Sequence, residues 1–176
     1  ETPFLVGDVA QRLAIGPKTC VLDYGCGIGR IAKGLIDQCG CRVIGIDASR
    51  AMRENAPGYV LSERFNAWSP EVLEQMLARG FQVDCAISLW VIQHVMDPQQ
   101  VMRQIAAALP PGRPFYALNQ QIRCVPSDKG WVNDGFDVWA ALAANFVEEE
   151  RYFLPESVAT PVLAQQSLIQ LLRRRE

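Results

Sequence analysis

Residues 20–30 read Cys-Val-Leu-Asp-Tyr-Gly-Cys-Gly-Ile-Gly-Arg, an apolar run that ends in Asp23 and passes into glycines at 25, 27 and 29. A second apolar run, Val43-Ile44-Gly45-Ile46, ends in Asp47. Two neighbouring parallel strands, each delivering a carboxylate at its C-terminal end with a glycine loop between them, describe the crevice where open α/β sheets bind nucleoside-containing ligands. Asp47 can accept hydrogen bonds from both hydroxyls of a ribose. Asp23 discriminates by charge. A dinucleotide would set its pyrophosphate against the helix N-terminus beside this residue, and a carboxylate there repels it. The third glycine also falls one residue early for G-x-G-x-x-G, and no G-K-[ST] phosphate loop is present. Asp23 suits a ligand that carries a cation.

The elements that must hold these groups follow from period and punctuation. Residues 8–15 have helical spacing and stop at Gly16-Pro17. Strands are expected at 19–23, 42–47, 58–63, 83–89 and 113–119, alternating with helices at 29–39, 49–55, 70–79 and 98–109. Ser69 and Asp97 are N-caps, each followed by a proline at the first helical position. Pro57-Gly58 stops the third helix. A helix at 136–145 precedes two late strands, 149–154 and 167–173, joined by a polar, proline-containing loop. With no helix between them these strands pair antiparallel. Residues 123–134 form a loop after the fifth strand, and Trp131 within it suggests a lid.

A ligand with an ammonium for Asp23 and a ribose for Asp47 is S-adenosylmethionine. Val-Leu-Asp-Tyr-Gly-Cys-Gly-Ile-Gly-Arg resembles the first motif of class I S-adenosylmethionine-dependent methyltransferases, and Gly-Ile-Asp-Ala-Ser resembles the motif that follows it. Residues 84–97 are similar to the family's fourth-strand motif, and Leu109-Pro-Pro-Gly112 to the turn before its fifth strand. The resemblance runs in order along nearly the whole chain. It implies a three-layer αβα sandwich around a seven-stranded, mostly parallel sheet of order 3-2-1-4-5-7-6, ending in an antiparallel hairpin.

The resemblance also implies roles. Asp23 and Gly25 hold the methionine end, within a loop made of Tyr24, Gly25, Cys26, Gly27 and Gly29. Asp47 binds the ribose, and Ala48 and Met52 flank the adenine, although Met52 equally suits a gap-filling core position. Relatives carry an acid after the third strand; here Asn66-Ala67 stands in that segment, and the Asn66 side-chain oxygen can accept from the adenine amino group. Trp68 either stacks near the purine or packs. Ser88, Leu89 and Trp90 end the fourth strand, where an aromatic face favours a sulfonium. His94, the one histidine of the chain, is the candidate general base or else a structural residue. Tyr116 and Asn119 are placed to reach an acceptor.

The bulk composition sets limits. The 176 residues suit one domain spanning 1–176, with residues 1–18 as a short helical lead-in, and whatever caps the site from that side is short or belongs to a larger protein. Hydrophobic content of 49% and charged content of 20% fit a globular protein, and a net charge of −2 predicts neither nucleic-acid nor membrane partners. Six cysteines without zinc-ligand spacing suggest a reduced, cytoplasmic protein without a metal. The expected activity is methyl transfer from S-adenosylmethionine, leaving S-adenosylhomocysteine, to an O or N nucleophile of a small molecule, a sugar or a protein side chain. The alternatives are a non-catalytic cofactor-binding or scaffold domain and a nicotinamide-dependent oxidoreductase, which Asp23 and Arg30 oppose.

Overall fold

The computed structural model describes residues 1–176. Five strands, β1 (Cys20–Tyr24), β2 (Arg42–Ile46), β3 (Phe65–Trp68), β4 (Cys85–Leu89) and β5 (Pro114–Gln120), alternate with helices α1 (Thr2–Arg12), α2 (Arg30–Cys39), α3 (Arg50–Val60), α4 (Pro70–Leu77) and α5 (Pro98–Ala108). After β5 come a small hairpin, β6 (Val125–Ser127) with β7 (Gly130–Val132), and a short helix, α6 (Val138–Leu142). The chain closes with β8 (Phe146–Phe153), α7 (Pro161–Gln166) and β9 (Ser167–Arg174).

The main sheet has the order β3-β2-β1-β4-β5-β9-β8, with β9 antiparallel to both β5 and β8. Leaving the β6–β7 hairpin out of the count, this is the expected 3-2-1-4-5-7-6. The central strands are buried on both faces, as parallel strands between two helical layers must be. Alternation sends Val21, Ile87 and Tyr116 into a core with α1 and α2, and Leu22, Ala86 and Phe115 into a second core with α5 and α6.

Several elements differ from their sequence expectation. Helix α1 begins at Thr2 rather than at residue 8, because Leu5, Val6 and Val9 continue the buried stripe through Gly7. Helix α3 runs through Pro57, which was expected to stop it. Burial of Ala56 and Val60, one turn apart, holds the last turn down although Pro57 lacks an N–H. The third strand is therefore residues 65–68, not 58–63. A helix, α7, occupies part of the loop expected between the last two strands, and a hairpin forms within the 123–134 segment. Tyr116 does not reach the C-terminal rim of the sheet. It is wholly buried and donates to Asp8 Oδ2 at 2.8 Å, while Tyr152 donates to the same oxygen at 2.5 Å, pinning α1 to the antiparallel side of the sheet.

Candidate functional site

The glycine loop leaves β1 by a turn whose Gly25 and Cys26 N–H groups donate to the Ile46 carbonyl at 2.6 and 3.0 Å. This ties the loop to the end of β2. Its glycines do different things. Gly25 has φ +83, and a Cβ there would lie 2.1 Å from a Val91 methyl carbon, so its bareness admits Val91. Gly29 has φ +84 and makes the same kind of room for Val60. Gly27 has φ +55 and faces open space, which is the geometry of a backbone that a ligand approaches.

Asp47 stands beside it. Its carboxylate accepts from the Gly27 N–H and the Ser49 N–H, both at 2.8 Å, leaving further lone-pair directions on both oxygens. The Arg53 guanidinium donates to the Asp47 and Ala48 carbonyls at 2.7 and 2.8 Å and fixes the turn that presents them. Ser49 caps α3 through the Met52 N–H, leaving the Met52 side chain partly exposed.

Asp23 is the anomaly. It is 3% exposed, and its Oδ2 has no hydrogen-bond partner. Burial, with the Asp47 charge adding to it and Arg30 opposing, pushes its carboxyl up to about 7. A buried carboxylate without partners is costly, and a cation placed against it removes the cost. The residues therefore fit a group that brings an ammonium to Asp23 and a ribose to Asp47.

The opposite wall begins at Trp90, which has φ +56, a conformation disfavoured for a residue with a side chain. Its N–H donates to the Leu118 carbonyl at 2.6 Å and its indole Nε1 to Ser167 Oγ at 3.1 Å, and these bonds hold the strained turn in place. His94 lies further along this turn, with Nδ1 2.7 Å from the Cys124 carbonyl and Nε2 3.0 Å from Gln93 Nε2. A carbonyl only accepts, so Nδ1 carries the proton. Gln93 Oε1 accepts from the Gln120 N–H, so its Nε2 donates to His94 Nε2. The sequence expectation of a general base meets a ring whose two nitrogens are both in use.

A cavity of about 410 Å³ opens between these walls. It brings together Tyr24, Gly25, Asp47, Ala48, Trp90 and His94 from the sequence expectation. Asp23 within β1, Cys26, Gly27 and Gly29 in the loop after it, and Met52 in α3 lie around the cavity rather than in its lining. Ser88 is fully buried on the sheet, with Oγ unpartnered, and Leu89 packs against the core. Asn66 and Ala67 lie within β3, not after it, and Asn66 is paired across to Ile44. The lining that sequence reasoning missed includes Val91, Glu71 and Glu74. Glu71 had a signal: Ser69-Pro70-Glu71 is a capped first turn, which presents Glu71 at the end of β3 once that strand is placed correctly. A hydrogen bond from Ser69 holds its carboxyl below the usual range.

The fold and this crevice define a Rossmann-like nucleoside-binding domain. The chain belongs to the methyltransferase domain family, whose pattern it matches over residues 4–173. It is 30% identical over 145 residues to the ubiquinone biosynthesis O-methyltransferase of Caulobacter vibrioides, covering 76% of this chain and 56% of that protein. It is 33% identical over 105 residues to the methyltransferase GfsG of Streptomyces halstedii, covering 58% and 38%. The chain thus spans 56% and 38% of the length of these two curated relatives. The geranyl diphosphate C-methyltransferase of Streptomyces coelicolor, solved with S-adenosyl-L-homocysteine, shares the fold at a TM-score of 0.72 and 14% identity, covering 98% of this chain and 80% of that one. The [4+2]-cyclase SpnF shares it at 0.73 and 15%, covering 98% and 81%. At such identities the likeness is one of fold alone. No helix is long and apolar enough to cross a membrane.

Proposed function

We propose that this chain is a single domain that binds S-adenosylmethionine in the crevice between Asp23, Asp47 and Trp90 and transfers its methyl group to an O or N nucleophile. One observation carries the reading: Asp23 is buried without a partner at the strand end next to Asp47. When bound, the cofactor supplies an electrophilic methyl on a sulfonium leaving group. The chain's residues then bind and align. Asp23 holds the ammonium, Asp47 the ribose hydroxyls, and the Gly27 backbone lies against the ligand. Trp90, in the lining of the cavity, supplies the aromatic group for the sulfonium. Glu71 replaces Asn66 as the acceptor for the adenine amino group. Alignment is most of what such a displacement asks of a protein.

The names of the curated relatives favour an oxygen nucleophile on a small molecule, ahead of a sugar or protein side chain. An alcohol acceptor needs a base, and His94 supplies one only after releasing Gln93. A second reading, cofactor binding without transfer, draws on that engaged histidine. Calorimetric titration with S-adenosylmethionine and S-adenosylhomocysteine, with NAD as control, tests the cofactor. Saturable one-site binding of the first two is expected, and binding of NAD instead would overturn the proposal. Transfer of labelled methyl to pools of small-molecule acceptors then separates catalysis from binding alone.

A further inference from the structure

The segment after β5 touches the cavity only through another piece of chain, yet it contains a buried charge. Arg123 is 4% exposed. Its Nε and Nη2 grip Asp134 in a bidentate pair at 2.8 and 2.6 Å. The same guanidinium donates to the Ile92 carbonyl at 2.8 Å and the Val95 carbonyl at 3.0 Å. Between those two residues, the Gln93 N–H donates to Asn119 Oδ1 at 3.3 Å, and the Gln93 carbonyl accepts from the Cys124 N–H at 3.0 Å. His94 donates to the Cys124 carbonyl and meets the Trp131 ring edge to face at 5.6 Å. Four consecutive residues of the turn that walls the cavity, Ile92 to Val95, are thus each held by residues 119–134. That same stretch presents Trp131 on β7, 65% exposed.

Resting on the methyltransferase reading above, we propose that Arg123 is a positioning residue that latches the β6–β7 hairpin to the cavity wall, so that the acceptor-side hairpin and the cofactor-side wall move as one body. Arg123 suits the task because a buried guanidinium stripped of one partner is left with unsatisfied donors, so the latch opens as a unit rather than bond by bond. His94 belongs to the same device. Its Nδ1–H tautomer is set by Gln93 and Cys124, which makes it a strut of the wall. Displacement of the hairpin is then transmitted to Trp90 and Val91, the preceding residues of the same turn, which line the cavity.

The test compares Arg123→Met, Arg123→Lys and Asp134→Asn in the full chain, by calorimetry with S-adenosylhomocysteine and by amide hydrogen exchange. Arg123→Met is expected to weaken binding by about tenfold and Asp134→Asn by about threefold, in line with the loss of charge-assisted hydrogen bonds. Arg123→Lys recovers only part, since an ammonium cannot span a carboxylate and two carbonyls with a planar fork. Exchange should accelerate in residues 91–95 and 121–134 together, with the β1 and β2 amides unchanged. A folded Arg123→Met with wild-type affinity, or faster exchange confined to the hairpin, overturns the latch. Should Arg123→Met fail to fold, Asp134→Asn decides by the same two readouts. If the wild-type chain does not bind S-adenosylhomocysteine, the methyltransferase reading falls, and the exchange pattern alone still upholds or overturns the latch.

Discussion

Asp23 and Arg123 are buried to nearly the same degree, at 3% and 4% exposure, on either side of the β4 strand end. One carries an oxygen with no partner, and the other makes four hydrogen bonds. The carboxyls on the two sides diverge accordingly. Asp23 is pushed up to about 7 by burial, whereas Asp134, facing Arg123, is pulled down to about 2 by the guanidinium. A buried charge with its partners in place belongs to the protein's own architecture. A buried charge without them is what the proposed ligand would complete. The contrast separates the ligand side of the crevice from the side that frames it.

The largest expected effect tests the ligand side at its backbone. Gly27→Val should abolish binding of S-adenosylhomocysteine, because the side chain enters the open space above the loop. The left-handed conformation costs the variant about 1–2 kcal/mol of stability, so circular dichroism should still report a folded chain. Normal binding by this variant would move the site elsewhere. Asp47→Ala should weaken binding by about 1–3 kcal/mol through lost charge-assisted hydrogen bonds, and unchanged affinity would remove the ribose assignment.

A smaller effect follows from the Asp23 carboxyl. Its pKa in the fold lies above the ordinary value of 3.8. The fold therefore binds its proton more tightly than the unfolded chain does. Its contribution to stability is full below the ordinary value and is lost as pH rises through about 7. A cationic ligand favours the ionised form, so affinity for S-adenosylhomocysteine should rise on the order of tenfold from about pH 5.5 to about pH 7.5. Asp23→Asn should flatten that profile, and a profile unchanged in this variant would take the ammonium away from Asp23. The smallest difference concerns the purine. Glu71→Gln should weaken binding about threefold and Asn66→Ala not measurably, consistent with one exposed hydrogen bond. The reverse result in parallel titrations would restore the adenine contact to Asn66.

Legibility in the sequence varied along the chain for physical reasons. The central strands and the caps at Ser69 and Asp97 were readable because local rules decide them: continuous apolar runs, and a side-chain oxygen followed by proline. Helix α3 was misread because Pro57 is a local signal and its override, the docking of Ala56 and Val60, is not local. That one error moved β3, so the segment expected to follow the third strand is the strand itself.

By itself, the sequence determined the alternation of strands and helices and the pair of acids flanking a glycine loop, each written in residues close together in the chain through period, φ preference and charge. The strand order was implied only by the resemblance of its motifs to a family. Only the tertiary structure decided that Gly25 and Gly29 make room for Val91 and Val60 while Gly27 faces open space. Only there does Asp23 lack a partner, His94 lose both ring nitrogens to neighbours, and Arg123 reach from the segment after β5 to hold the turn after β4. Those outcomes depend on which groups meet after distant segments pack, and side-chain hydrogen bonds between such segments leave no periodic trace in the sequence.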